Sequence, residues 1–126
     1  MLAYATVGSN RLEEAKAFYD ALMPIAGYAP MMEHGSGGRI YRGQSGMFAV
    51  VGPFDGRAAT VGNGVMIGFL LGSPAQVDQF HAMMLDMGGS DEGAPGLRGP
   101  EEVQTYMAYA RDLDGNKLCA FHFGSA

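Results

Sequence analysis

Tryptophan is absent from the sequence, and cysteine occurs once, as Cys119. A lone thiol excludes an intrachain disulfide and a cysteine-based structural zinc site, so stability has to come from a packed core. Charge is sparse at 17%, and positive charge sparser, with 8 Lys and Arg against 13 Asp and Glu for a net −5. Phosphate binding draws its affinity from clustered Lys and Arg, so no nucleic-acid partner is expected. The same deficit argues against an anionic membrane surface. No apolar run approaches the roughly 20 residues that span a bilayer. The opening Met1-Leu2-Ala3-Tyr4-Ala5-Thr6 has neither the basic start nor the apolar core of a signal peptide. The expected location is cytoplasmic.

What is present suits one folded domain over residues 1–126. Hydrophobic residues make up 48%, with 7 Phe and 6 Tyr, which excludes intrinsic disorder. The 20 glycines are scattered between apolar segments and read as turns and close backbone approaches.

Two segments carry helical periodicity. Ala15, Phe18, Leu22 and Ile25 fall at steps of three, four and three, and Val77, Phe80, Met84 and Met87 repeat those steps 62 residues later. Asn10 with Glu13 reads as a capping box for the first helix, expected over 11–26. Ser73, Pro74 and Gln76 read as the cap of the second, expected over 74–88 and closed by Gly88-Gly89. A strand-like run precedes each helix, Leu2–Val7 and Val65–Leu71. Further strands are expected over Arg39–Arg42, Met47–Val51, Thr105–Arg111 and Lys117–Phe123, with weaker ones at Tyr28–Met32 and near Gly89–Asp91. The pattern is two βαβββ modules, residues 1–56 and 57–126, joined by the Gly- and Pro-containing stretch Gly52–Gly64. The fold class is α+β: two modules forming a curved mixed sheet with a concave groove and helices on the outer face.

Several tempting motifs fail on chemistry. Asp112-Leu113-Asp114-Gly115-Asn116 has calcium-loop flavour, but Lys117 and Phe123 occupy the positions that need Gly and an acid, so a hairpin turn is expected. Gly35-Ser36-Gly37-Gly38 lacks the Lys and following helix of a phosphate loop. His34, His81 and His122 share no ligand spacing. Ten methionines supply adaptable packing, or the lining of a pliable pocket.

The paired modules, the opening Tyr4-Ala5-Thr6-Val7-Gly8 leading to Ala17-Phe18-Tyr19, and the late Arg111-Asp112-Leu113-Asp114-Gly115-Asn116-Lys117 together resemble the glyoxalase/bleomycin-resistance/dioxygenase (vicinal oxygen chelate) superfamily, in a bacterial glyoxalase-like branch. The resemblance spans essentially the whole chain. It implies a divalent metal in the concavity, held by His, Glu or Gln from four strands and acting as a Lewis acid. Placed one at a time, those ligand positions fall on Tyr4, on Met66, on Cys119, and near Phe48 or Ala49. None carries its usual ligand, so no metal or other cofactor is expected and no catalytic residue is assigned.

The replacements share an apolar character. Tyr4, Phe48, Met66 and Cys119 line the expected pocket, with Thr6, Gly68, Leu70 and Phe121 on the same faces and Tyr106, Met107 or Tyr109 as a wall. Such a cup suits a small apolar or aromatic molecule, with the Tyr4 hydroxyl as its hydrogen-bonding point. The expected function is therefore metal-free binding of a small molecule. The alternative is a lyase, isomerase or dioxygenase-like enzyme with an atypical site. A homodimer is expected, because modules of this kind leave sheet edges and apolar surface for a partner.

Overall fold

The computed structural model describes residues 2–124; Met1, Ser125 and Ala126, at the ends of the expected domain, lie outside them. The first module runs β1 (Tyr4–Gly8), α1 (Leu12–Leu22), a 3-10 turn (Met23–Ala26), β2 (Ala29–Glu33), β3 (Arg39–Arg42) and β4 (Met47–Val51). The second runs β5 (Ile67–Leu70), α2 (Pro74–Asp86), β6 (Ser90–Arg98), a 3-10 turn (Glu101–Val103), β7 (Thr105–Arg111) and β8 (Lys117–Phe123). Both modules form a four-stranded mixed sheet of the same order, β1-β4-β3-β2 and β5-β8-β7-β6. In each, the first strand pairs in parallel with the last and the other neighbours are antiparallel. The α+β class and its two βαβββ modules stand. Between β1 and β5 there is no ladder, so side chains alone join the two sheets along that seam.

The helical stripes are buried as the periodicity requires. Ala15, Phe18 and Leu22 are buried on α1, and Val77, Phe80 and Met84 on α2, with Ile25 and Met87 packed against them. Ser73 caps α2, its Oγ accepting from the Gln76 N–H at 3.2 Å, and Pro74 takes the first helical position. The capping box expected at α1 does not form. Arg11 is the cap residue there and makes no side-chain cap bond. Asn10 instead grips the inter-module linker: its Oδ1 accepts from the Ala59 N–H at 2.6 Å and its Nδ2 donates to the Ala59 carbonyl at 3.0 Å. A carboxamide satisfies two backbone groups of the linker this way, where a cap would satisfy one.

β6 is longer than the few residues expected. It pairs with β7 through two register breaks around Gly93, and a Cβ on Gly93 would meet the Tyr109 ring at 3.0 Å. Glycine here lets the strand lie against an aromatic ring, which a reading of Gly and Pro as loop formers misses.

An aromatic chain runs through the core. Tyr19 packs on Phe48 with ring centroids 5.0 Å apart, Phe48 on Phe69 at 5.3 Å, and Phe69 on Phe80 at 5.5 Å. Phe48 belongs to β4 and Phe69 to β5, so this core is shared between modules. A polar latch adds to it. Tyr19 on α1 donates its hydroxyl proton to Asp112 Oδ2 at 2.5 Å in the β7–β8 hairpin. Asp112 Oδ1 accepts from the Asp114 and Asn116 N–H groups, each at 2.9 Å, and Asn116 Nδ2 donates to the Gly8 carbonyl at 2.9 Å. Gly115, at φ 92°, supplies the left-handed residue of the turn. The carboxylate expected to hold a turn does so, and fastens one module to the other.

Tyr19→Phe removes the inter-module hydroxyl and leaves Asp112 short of one donor. The expected loss of stability is about 1–3 kcal/mol in urea denaturation, whereas Tyr4→Phe, at an exposed strand end, changes it by less than about 0.5 kcal/mol. Equal effects from the two substitutions would show the latch to be energetically idle.

Candidate ligand groove

Residues paired across a ladder project to the same face of a sheet, and successive residues alternate. In the first sheet Ala5, Val7, Phe48, Val50 and Tyr41 share the core face, which leaves Tyr4, Thr6, Met47 and Ala49 facing away from the helices. In the second sheet Phe69, Leu118, Ala120, Ala108 and Ala110 face the core. Gly68, Leu70, Cys119, Phe121, Met107 and Tyr109 therefore share the outward face with Tyr4 and Thr6.

Two of the expected lining residues lie on the other face. Phe48 is fully buried and stacks in the aromatic core. The run Met47–Val51 is apolar throughout, so it offers no alternation from which to set the phase, and Ala49 rather than Phe48 pairs with Thr6. Tyr106 shares the face of Ala108 and Ala110 and donates its hydroxyl to Asp78 Oδ1 of α2 at 2.6 Å. On this strand Ala108 and Ala110 lie beneath the helix together with Tyr106, while Met107 and Tyr109 face away.

The outward face is opened by a cavity of about 510 Å³ at the seam between the sheets. Tyr4, Met66, Gly68 and Leu70 line it, together with Tyr28, and core-face residues including Phe48 and Phe69 border it as well. Gln44 and Ser45, at the tip of the β3–β4 hairpin, add polar groups at one end. Sequence reading treated these two residues only as a turn. Their place at the site depends on the second module bringing β5 opposite that tip. Gly68 lets the Phe121 ring lie close: a Cβ there would meet that ring at 3.1 Å and press it aside. Thr6 lies elsewhere. With Tyr4 it lines a neighbouring cavity of about 970 Å³, walled by Pro53, Phe54 and other linker residues and by His34 and Ser36.

Cys119, Phe121, Met107 and Tyr109 line neither cavity. Cys119 is wholly buried, opposite Gly68 on one side and Tyr109 on the other. Burial pushes its thiol up to about 11, with Lys117 and Arg98 pulling only partly the other way. At neutral pH it is a thiol and not a nucleophilic thiolate.

The donor set does not fit a hard divalent cation. Among the described residues no three His, Cys, Asp or Glu side chains come together in a way that could hold a metal. Each histidine is engaged separately: His34 Nδ1 with Ser36 Oγ at 2.8 Å, His81 Nε2 with Asp91 Oδ1 at 3.0 Å, and His122 Nδ1 with the Leu71 carbonyl at 2.8 Å. At the four ligand positions implied by the resemblance stand a phenol, a thioether, a buried thiol, and an alanine beside a core phenylalanine. Hard cations favour carboxylate, carbonyl and water oxygens.

A crystal structure of a glyoxalase/bleomycin resistance protein from Albidiferax ferrireducens T118 is similar over 97% of this chain and 98% of its own, at 43% identity and a TM-score of 0.88. A glyoxalase-related enzyme from Fulvimarina pelagi shares the fold at 19% identity and a TM-score of 0.75, over 97% of this chain and 87% of that one. A lactoylglutathione lyase from Agrobacterium tumefaciens does so at 18% and 0.70, over 97% and 92%. No protein-family model and no curated protein matches.

The burial of Cys119 has a direct readout. At pH 8 its reaction with a small aromatic disulfide reagent is expected to be at least about 100-fold slower in the native protein than in urea, where the thiol regains its ordinary acidity. By the same linkage the unfolded thiol ionises from about pH 9 while the folded one keeps its proton, so Cys119 draws stability down as pH rises from about 9 to about 11. A native rate equal to the unfolded one would place the thiol at the surface.

Proposed function

The chain belongs to the glyoxalase/bleomycin resistance protein/dioxygenase family, and on that premise we propose that it binds a small apolar or aromatic molecule in the seam groove without the metal centre usual to the superfamily. The observation that carries this reading is the exchange at the ligand positions. Tyr4 and Met66 meet in a cavity of about 510 Å³ bounded by aromatic and aliphatic side chains, where a metal centre would need charged or imidazole donors. That volume lies within the roughly 300–1,000 Å³ range of small-molecule sites. Dehydrating a hard cation in such a cup costs more than a phenol and a thioether return. An aromatic body fits better, held between Tyr28, Met66 and Leu70, with the Tyr4 hydroxyl and Gln44 available for hydrogen bonds.

A lyase, isomerase or dioxygenase-like activity at an atypical site would need Tyr4 or Cys119 as acid, base or nucleophile. Cys119 is sealed from solvent and un-ionised, which favours binding over that alternative.

We also propose a cytoplasmic homodimer. β2 and β6 each keep one unpaired edge. All of β2 is exposed, Met31 and Met32 with it, and Leu97 on β6 is 58% exposed. Edges and apolar surface of this kind are ordinarily covered by a partner. No helix among the described residues is long and apolar enough to cross a membrane.

Two measurements test the proposal. After dialysis, zinc, nickel, iron and manganese are expected well below one equivalent per chain. Met66→His should raise zinc affinity by less than about ten-fold, since the other positions still lack hard donors. Stoichiometric metal surviving dialysis would overturn the metal-free reading. Light scattering at about 50 μM, far above the dissociation constant of a stable dimer, should give the mass of two chains, and a single-chain mass would refute the dimer.

A further inference from the structure

Lys117 opens β8 and is half-buried on the outward face of the sheet, yet no carboxylate answers it. Among the described residues the ion pairs engage Lys16, Arg39, His81 and Arg111, and Lys117 enters none. Arg11, Arg42, Arg57 and Arg98 also enter no ion pair, but Lys117 differs from them in lining a cavity beside a second cation, Arg111. The Lys117 Nζ stands 5.4 Å from the centre of the Tyr109 ring, and the guanidinium of Arg98 stands 5.8 Å from the same ring. One Arg98 nitrogen donates to the Ala94 carbonyl at 2.7 Å, which satisfies a proton and leaves the charge. Arg111, opposite Lys117 in the β7–β8 register, is held by Glu92 at 2.8 Å and by the Gly115 carbonyl at 2.8 Å. Lys117 and Arg111 thus stand together at one end of the β7–β8 ladder with a single carboxylate between them, while Arg98, opposite Thr105 at the other end of β7, reaches the Tyr109 ring with its side chain. Tyr109 offers Lys117 a ring quadrupole, which supplies no counter-charge.

Beside Lys117 lies a cavity of about 500 Å³. Lys117 and Arg111 form one wall. Val61, Val65 and Met66 form the other, closed by the Gly62-Asn63-Gly64 turn, and no acidic side chain lines it. Met66 lines this cavity and the seam cavity alike, so the two are neighbours across one flexible side chain.

We infer that the small molecule held in the seam groove is an organic anion, its aromatic or aliphatic body against Met66 and its carboxylate, sulfonate or phosphate group reaching past that side chain to Lys117 in the adjoining cavity. The inference rests on the groove being a small-molecule site and adds the charge of the occupant. An anion here supplies the counter-charge that the fold omits, where partial burial strengthens the attraction relative to open water. It also reconciles an acidic protein with an anionic ligand. The negative charge of the chain is repulsive at long range and screened by salt, whereas the Lys117 contact acts at short range.

Two dyes with one aromatic skeleton provide the test: anilinonaphthalene sulfonate, and uncharged phenylnaphthylamine, which lacks the sulfonate. Fluorescence titration of the intact protein should show saturable binding of both, with the sulfonate about ten-fold tighter. Lys117→Gln should remove that advantage and leave the neutral dye unchanged, and Lys117→Arg should restore it. Circular dichroism identical to the parent confirms that both variants fold. Equal affinities for the two dyes, or a preference for the sulfonate that survives Lys117→Gln, would overturn the anion assignment and leave the groove reading intact. Failure of both dyes to bind would overturn both readings.

Discussion

Phe48 and Phe69 meet across the module boundary, and the rest of the molecule is arranged around that contact. A four-stranded sheet with one helix can bury only one face, and a module of about 50 residues buries too little surface to be stable alone. The chain answers by sharing one core between two such units. Because β1 and β5 exchange no ladder bonds, the aromatic chain from Tyr19 through Phe48 and Phe69 to Phe80 carries the join. Non-directional burial does most of the holding, and the directional bonds of Tyr19, Asn10 and Asn116 across the boundary add to it.

The same join creates the groove. Where two sheets approach edge to edge without hydrogen bonding, the seam is filled by whatever side chains the edge strands present. Tyr4 and Met66 leave space there, and Gly68 yields room to Phe121. The site is thus a consequence of how the halves are joined, and it belongs to neither half. The family shares this geometry with very different chemistries, since fold fixes where a site lies and side chains fix what it does.

The repeat was legible in the sequence because helix periodicity encodes burial directly: every residue of the two stripes is buried or packed on the core. Strand limits at Arg39–Arg42, Met47–Val51, Thr105–Arg111 and Lys117–Phe123 were legible as well, since turn residues flank them. The phase of a strand is harder to read. Met47–Val51 is apolar on both faces, so Phe48 could be assigned to either, and β7 hides alanines while its tyrosines diverge to opposite sides. Asn10 has the chemistry of a cap and the position of one, but a linker 49 residues away competes for its carboxamide and wins. Lys117 carries no local signal at all. Its isolation is a property of the assembled face, visible only once its neighbours are known.

The two hairpins at the ends of the seam are counterparts in the duplicated plan, yet only one is fastened. The β7–β8 hairpin reaches the first module through Asp112, Asp114 and Asn116. The β3–β4 hairpin, with Gln44, Ser45 and Gly46, makes no such bond to the second module among the described residues and borders the cavity instead. A strictly repeated architecture would offer two equivalent mouths and could not tell one orientation of a guest from the other. Here the internal twofold is broken by a handful of polar atoms, giving the passage a bolted end and an open one. Polarity along the seam gives the two ends of a pseudo-symmetric scaffold different chemical surroundings.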